Sequence, residues 1–193
     1  SLPSRGLGDV YKRQLFIAIK GDKFDGNNFV EEAFARGASI AVVDNKKFLK
    51  TRKKNIIYVK NTINALKKIS ENIIKKYEGN VIAITGSNGK TTTTNIIANS
   101  LNNTSKTLGN YNNEIGMPLS IINASPNSKN IVMEIGASKI GDINYLSKIL
   151  KPFVGVITNI GNSHLETLNN ISGVLNVKSE IAVSYTHLTL PTT

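Results

Sequence analysis

The sequence predicts an α/β protein, with a small α/β N-terminal domain followed by a P-loop-type domain built on a doubly wound, mostly parallel sheet. Apolar strand-like runs alternate with helical segments over residues 80–182, and residues 15–77 contain three further strand-like runs and two helical segments. A glycine loop, TGSNGKT at 85–91, joins one such run to a helical segment. Glu78-Gly79-Asn80 has the composition of a linker. We therefore expect two domains, 15–78 and 79–182, the second of them incomplete.

The first domain is predicted to contain three short strands and two helices. The strands are LFIAIK (15–20), SIAVVD (39–44) and NIIYVK (55–60). The helix VEEAFARG is closed by Gly37. A second helix is predicted from Thr62 to Tyr77, because its apolar side chains recur on one helical face. Those side chains are Ile63, Leu66, Ile69, Ile73, Ile74 and Tyr77.

The second domain shows the strand and helix alternation of a parallel sheet. Its predicted strands are VIAIT (81–85), NIVMEIGA (130–137) and VGVITNI (154–160), and its predicted helices span 90–101, 141–150 and 171–182. Pro152 ends the middle helix. Ligands of such sheets bind at the carboxyl ends of the strands, so we look for chemistry there.

Composition narrows the possible functions. The 193 residues contain no cysteine, which excludes disulfides, thiolate metal sites and cysteine catalysis. The sequence has no apolar run long enough for a membrane span and no signal-type stretch, so we expect a cytoplasmic protein without a membrane partner. The formal net charge of +11 raises nucleic acid as a partner. The lysines are spread along the chain, however, and we interpret them as solvated faces.

The two ends of the chain fit no periodic pattern. Residues 1–14 (SLPSRGLGDVYKRQ) and 183–193 (VSYTHLTLPTT) resemble non-native, adaptor-derived sequence. We leave both segments out of the fold prediction. We expect residues 15–182 to be an internal part of a longer protein and the chain alone to be inactive.

The loop after the strand 81–85 has the residues of a phosphate cradle, although it is shorter than the usual G-x-x-x-x-G-K-[ST]. Glycines allow the backbone to approach a phosphate, and the following helix directs its positive end at the anion. Lys90 would reach the β- and γ-phosphates, and the Thr91 hydroxyl would bind Mg²⁺. The alternative is an ordinary glycine turn. The predicted ATP-binding residues are Gly86, Ser87, Asn88, Gly89, Lys90, Thr91 and Thr92.

Three further residues are candidates on the same sheet edge. Glu134 is a lone carboxylate in an apolar strand, where a charge is costly unless it is paired or binds metal. It would be a Mg²⁺ ligand, or a strand-end side chain that reaches solvent. His164 follows the strand 154–160 and would be a metal ligand or a surface histidine. Lys178 lies in the next helix, and its residue type alone does not distinguish it from a solvated lysine.

Five segments, in this order and spacing, resemble the Mur ligases. They are TGSNGKTTT, GNYNNEIGMPLSI (109–121), MEIGAS (133–138), TNIGNSHLE (158–166) and VKSEI (177–181). The family consists of ATP-dependent amide ligases with a short phosphate loop, many of them in peptidoglycan precursor synthesis. LFIAIKGDKFDGNNFVEEAFARGA (15–38) resembles the family's N-terminal domain, which holds the nucleotide-sugar substrate.

The resemblance implies roles for individual residues. Lys90 and Thr91 match the phosphate-loop lysine and Mg²⁺ ligand, and Glu134 matches a strand carboxylate that binds Mg²⁺. His164 matches a histidine that helps to hold a second Mg²⁺, and Lys178 matches a lysine that is carbamylated in relatives and then binds metal. Its carbamylation requires a neutral amine, so burial must lower its pKa. Asn112 and Asn113 match polar positions near the substrate.

The resemblance also implies the reaction. GNYNNEIGMP is most similar to the branch that adds D-Ala-D-Ala to UDP-MurNAc-tripeptide through an acyl phosphate, with ATP and Mg²⁺ as cofactors and a monomer expected. The alternatives are a diaminopimelate- or lysine-adding ligase, folylpolyglutamate synthase, or a basic P-loop protein that binds nucleic acid. The family's substrate segment that precedes Leu15 is replaced here, and its C-terminal domain is absent from the sequence.

Overall fold

A computed structural model of the chain describes residues 14–21, 23–50, 55–161 and 171–182. The chain divides into two compact units, one up to Leu66 and one from Lys67 onward. The boundary falls within helix α2 (Thr62–Lys76). With 15 residues, α2 is the longest helix described, and within the described ranges no helix has both the length and the apolar character to cross a membrane.

The first unit is a three-stranded parallel sheet in the order β1-β2-β3. Its elements are β1 (Gln14–Ile17), β2 (Ala38–Val43), β3 (Ile56–Tyr58), α1 (Val30–Ala35) and 3₁₀ turns at Gly26–Phe29 and Lys46–Lys50. A small core of Ala18, Val30, Ala41 and Val43 is surrounded by aromatic side chains. Parallel neighbours need crossover connections, and α1 supplies the one between β1 and β2.

The second unit contains a four-stranded parallel sheet in the order β5-β6-β4-β7. Its strands are β4 (Asn80–Thr85), β5 (Thr104–Lys106), β6 (Asn130–Glu134) and β7 (Val154–Ile157). Its helices are α3 (Lys90–Ser100), α4 (Gly116–Ile122), α5 (Asp142–Leu150) and α6 (Ile171–Ser179). The parallel sheets confirm the predicted mixed α/β fold class.

The core of the second unit explains why β6 reads as a continuous apolar run. All five residues of β6 are buried, as expected for a central parallel strand that is covered on both faces. Helices α4, α5 and α6 supply the apolar residues that pack in the same core. These are Met117, Ile121, Ile143, Leu146, Ile149, Leu150, Val174 and Val177. The end of β6 is therefore packed on both faces.

Several element boundaries differ from those predicted. The predicted strands 130–137 and 154–160 end at Glu134 and Ile157, because the chain then pairs with loops. The Gly136 N–H donates to Asn112 O (2.8 Å), and Asn159 O accepts from the Ser87 N–H (3.1 Å). The predicted helix 171–182 ends at Ser179. Strand β1 begins at Gln14, inside the segment 1–14 that was interpreted as non-native, whereas residues 1–13 and 183–193 lie outside the described residues.

Two elements of the second unit were not predicted. β5 has only three residues, Thr-Ser-Lys, and no apolar alternation. α4 contains Pro118 near its start, where a missing N–H is tolerated because it has no partner within the helix. The division at 78/79 stays a prediction.

Candidate active site

The phosphate loop lies at the carboxyl end of β4, between that strand and α3. Both glycines of the loop occupy positions where a side chain would clash or strain the backbone. A Cβ added to Gly86 would lie 1.9 Å from Thr158 Oγ1. Gly89 has φ +78°, in the left-handed region that disfavours side chains, and it is the N-cap of α3. The loop therefore turns tightly into the positive end of a helix, as an anion site requires.

Lys90 folds back over this loop. Its Nζ donates to Gly86 O at 2.9 Å and to Ser87 O at 3.5 Å. The same side chain lines a cleft, so its ammonium group lies where the loop meets open space. A cation held by loop carbonyls at a helix N-terminus is arranged to neutralise phosphate oxygens.

Thr91 and Glu134 come together beside the loop. Parallel pairing of β4 with β6 places Ile84 opposite Glu134, at the end of both strands. The Thr91 hydroxyl donates to Glu134 Oε2 at 3.2 Å. Glu134 is only 2% exposed, so its charge calls for compensation. A hydroxyl and a carboxylate oxygen are the hard ligands that Mg²⁺ prefers, and the two side chains fit such an ion.

Lys178 is almost completely buried, at 1% exposure. Burial first, and then the nearby charge of Lys90, lower the pKa of its ammonium group from an ordinary 10.5 to about 8, while Asp142 and Glu180 act in the opposite direction. A substantial fraction of its amine is therefore neutral just above neutral pH. The sequence could not assign this lysine, and burial separates it from the solvated lysines of the chain.

Lys90 and Lys178 line the same cleft, which has a volume of about 760 Å³. The cleft is formed by the start of α5, the segment before α4 and the residues between β6 and α5. Its other charged or hydrogen-bonding side chains are Asn112, Asn113, Glu114, Ser138, Lys139, Asp142 and Tyr145. The proximity of two lysines, through which Lys90 lowers the pKa of Lys178, favours an anionic ligand in the cleft.

The two predicted substrate-binding asparagines both line this cleft. The Asn112 backbone O accepts from the Gly136 N–H, which fastens this segment to the end of β6. Asn113 Oδ1 accepts from the N–H groups of Gly116 (2.8 Å) and Ile115 (3.2 Å), so it also fixes the start of α4. Their assignment to substrate binding stays a prediction.

Glu180 belongs to the site although the sequence did not single it out. Its two carboxylate oxygens accept from the N–H groups of Gly141 (2.7 Å) and Asn144 (3.0 Å), at the N-terminus of α5. Gly141 precedes α5 and has no side chain to cap it. The sequence signal that could have pointed to Glu180 is its acidic side chain two positions after Lys178.

His164 lies outside the described residues. Among the residues that are described, no three histidine, cysteine, aspartate or glutamate side chains form a cluster that would hold a metal ion. The predicted role of His164 in metal binding stays a prediction.

Two family profiles match the chain. The profile described as "Mur ligase family, catalytic domain" matches residues 4–76, and the "Mur ligase middle domain" profile matches residues 84–188. The second match covers more than half of the chain, including the phosphate loop and Glu134. The chain belongs to the Mur ligase family.

Individual relatives agree with this assignment. The chain is 39% identical to the UDP-N-acetylmuramoyl-tripeptide–D-alanyl-D-alanine ligase of Bacillus subtilis, over 88% of this chain and 38% of the relative. The ligase of the same name from Buchnera aphidicola is 41% identical over 86% of this chain and 37% of its own length. A crystal structure of the MurF ligase from Thermotoga maritima in complex with ADP has a TM-score of 0.81 and 34% identity, over 94% of this chain and 42% of that one. The chain thus spans about two fifths of the length of these relatives.

Proposed function

We propose that the protein carrying this chain is an ATP-dependent ligase that joins D-Ala-D-Ala to UDP-MurNAc-tripeptide in the cytoplasm, where ATP is available. The relatives that cover most of this chain carry the name of that ligase. The observation that carries the proposal is the position of Lys90, Thr91 and Glu134 around one phosphate loop at the mouth of a cleft.

The proposed reaction has two steps. The tripeptide carboxylate attacks the γ-phosphorus of ATP, giving an acyl phosphate and ADP. The neutral amine of D-Ala-D-Ala then attacks the acyl carbon, an amide bond forms, the nitrogen loses a proton to solvent, and phosphate leaves with the electron pair of the broken C–O bond. In both steps negative charge spreads over phosphoryl oxygens, so the protein's task is positioning and charge neutralisation.

The chain's own residues would divide this task. The amide groups at the start of α3 and the Lys90 ammonium would hold the phosphates. Thr91 and Glu134 would hold Mg²⁺, which when bound screens the charge of the phosphate oxygens. Asn112 and Asn113 would contact the substrate from the other wall of the cleft.

We further propose that Lys178 is carbamylated. Its amine is buried, lines the cleft and has a pKa of about 8, so the neutral form that reacts with CO₂ is accessible. We expect Lys178→Ala to lose activity in the full-length protein and a short carboxylic acid such as acetate to restore part of it. An active Lys178→Ala variant that acetate does not affect would contradict this role.

The proposed function is tested by assaying the full-length protein with ATP, Mg²⁺, UDP-MurNAc-tripeptide and D-Ala-D-Ala. We expect ADP and phosphate to be released in proportion to pentapeptide formed. Replacing D-Ala-D-Ala by meso-diaminopimelate or L-lysine, and the tripeptide by the corresponding dipeptide, tests the related ligases. Efficient turnover with the dipeptide and not with the tripeptide would overturn the proposal.

A further inference from the structure

Four residues after β7, Thr158–Gly161, run alongside the phosphate loop and are hydrogen-bonded to it; we call them the supporting segment. Asn159 contributes two acceptors. Its backbone O accepts from the Ser87 N–H at 3.1 Å, and its side-chain Oδ1 accepts from the Asn88 N–H at 2.9 Å. The first two amide groups after Gly86 are therefore occupied by one residue.

The supporting segment also fixes the carbonyl and side-chain groups of the same loop residues. The Thr158 hydroxyl donates to Asn88 O at 2.5 Å and lies within 3.3 Å of Thr85 O. Ser87 Oγ is 3.0 Å from both Gly161 N and Gly161 O, accepting from the first and donating to the second. Gly86 has no side chain, so Thr158 can approach the loop this closely.

The next amide groups along the loop, at the start of α3, differ in their hydrogen bonding from those of Ser87 and Asn88. Gly89 is the N-cap of α3, and the N–H groups of Gly89, Lys90 and Thr91 belong to the first turn, whose donors have no acceptor within a helix. A serine or aspartate cap would accept from one of them, but glycine has no side chain to do so.

We infer that Asn159 and Thr158 are positioning residues that hold Ser87 and Asn88 in a fixed geometry, so that phosphate is bound through the later amide groups of Gly89, Lys90 and Thr91. This inference rests on the proposed function for its ligand, and it assigns a nucleotide-dependent task to residues that touch no phosphate themselves. The order β6-β4-β7 supplies the physical basis, because it places the end of β7 directly beside the end of β4.

The main test is the affinity of the full-length protein for ADP with Mg²⁺, measured by titration calorimetry. Asn159→Ala removes the Oδ1 acceptor, and Thr158→Val replaces the hydroxyl by a methyl group of similar volume. We expect each to weaken ADP binding by about three- to tenfold, the effect of one partly exposed hydrogen bond. Thr158→Ser, which keeps the hydroxyl, is expected to restore the affinity. Asn99→Ala, on the exposed surface of α3, is the matched control and is expected to bind ADP as wild type does.

Steady-state kinetics distinguish positioning from a general loss of structure. We expect the KM for ATP to rise in Asn159→Ala while the KM for D-Ala-D-Ala stays within twofold of wild type. An ADP affinity unchanged in both Asn159→Ala and Thr158→Val would overturn the inference. Equal increases in both KM values would also overturn it, because a merely structural role predicts them.

Amide hydrogen exchange, followed by NMR, separates this inference from the proposed function. In the nucleotide-free wild type we expect protected Ser87 and Asn88 amides, and loss of the Asn88 protection in Asn159→Ala. ADP with Mg²⁺ is expected to add protection at Gly89, Lys90 and Thr91. A wild-type protein that binds no ADP would contradict the proposed function. Rapid exchange at Ser87 and Asn88 in a protein that does bind ADP would contradict the supporting role alone.

Discussion

Each unit of the chain has a cluster of polar side chains, and the two clusters are built on opposite principles. In the first unit, Asn27 Nδ2 donates to Asp25 Oδ1 (2.7 Å) and Asp44 Oδ1 (2.8 Å), and its Oδ1 accepts from the N–H groups of Asp44 and Asn45. Asp44 Oδ2 in turn accepts from the Thr62 hydroxyl at 3.1 Å. These donors and acceptors satisfy one another.

The cluster in the second unit is arranged around open space instead. Lys90 and Lys178 are both lysines that line one cleft. The burial of Lys178 and its repulsion by the charge of Lys90 lower the pKa of Lys178. Asp142 and Glu180 offset this repulsion only in part, so the arrangement favours an anionic ligand. Polar groups that satisfy one another stabilise a fold, whereas like charges that face a cavity indicate a ligand.

The largest expected effect is on catalysis and comes from the cluster in the second unit, which faces a ligand. In the full-length protein we expect Lys90→Ala to reduce kcat/KM for ligation by at least about 1,000-fold, roughly 4 kcal/mol of barrier, because it removes the cation aimed at the phosphates. The free energy of unfolding is expected to change by only about 1 kcal/mol. ADP release with all substrates present measures the first quantity, and urea unfolding measures the second.

Lys148→Ala is the control, since that lysine lies on the exposed face of α5. We expect it to ligate at the wild-type rate. If Lys90→Ala retains activity within about tenfold of wild type, near 1.4 kcal/mol, the loop is not the phosphate site and the contrast between the two clusters fails.

A second prediction concerns the pH dependence of stability. Between pH 8 and 10.5, Lys178 is neutral in the folded chain and protonated in the unfolded chain, because its folded pKa is about 8. The unfolded state then binds more protons, so stability rises with pH across this window, by about 2–4 kcal/mol. Below pH 8 the burial of a charged ammonium destabilises the fold in full. Lys178→Met is therefore expected to unfold at higher urea concentration than wild type at pH 7.

The measurement is urea unfolding from pH 7 to 10.5 in bicarbonate-free buffer, which keeps the amine unmodified. The difference between wild type and Lys178→Met is expected to shrink as the pH rises, whereas Lys148→Met is expected to follow the wild type at every pH. A constant difference would mean that Lys178 has an ordinary pKa and that the cleft holds no strained charge.

The third prediction addresses the internally satisfied cluster. Asn27→Ala leaves Asp25, Asp44 and two backbone N–H groups short of partners in a buried place, and we expect the free energy of unfolding to fall by about 1–3 kcal/mol. Ligation by the folded fraction is expected to be unchanged. Asn28→Ala, at the exposed neighbouring position, is the control. A loss of substrate affinity without a loss of stability would show that this cluster also serves a ligand.

The sequence predicted the features that depend on local residue patterns. The alternation of apolar runs and helices was enough for the fold class. The loop 86–91 stood out because its glycines meet a local backbone requirement and its lysine and threonine supply phosphate and metal ligands within a few residues. The pairing of Thr91 with Glu134 followed from parallel strands ending at one edge.

Other features depended on tertiary packing. Lys178 is one of many lysines in the chain, and only the packing of α6 buries it. The function of Asn159 depends on β7 lying beside β4, which the sequence does not contain as a local signal. Strand β5 escaped prediction because three polar residues form a strand only when β6 pairs with them.

The smallest expected effect comes from Glu180, which connects the two principles. Its carboxylate accepts hydrogen bonds from two N–H groups at the start of α5, as in a satisfied cluster, yet it also lies near Lys178 and favours the charged amine. We expect Glu180→Ala to lower the free energy of unfolding by about 1 kcal/mol, the cost of a lost helix cap. Glu180→Gln keeps one acceptor and is expected to lose about half as much.

Removing the negative charge of Glu180 also lowers the pKa of Lys178 further, so both variants are expected to shift the rise of stability with pH to lower pH. Urea unfolding over the same pH range measures both effects, with the exposed Glu78→Ala as control. If neither variant shifts the pH dependence while Glu180→Ala still lowers the free energy of unfolding, the carboxylate acts only as a cap, and the link between α5 and Lys178 fails.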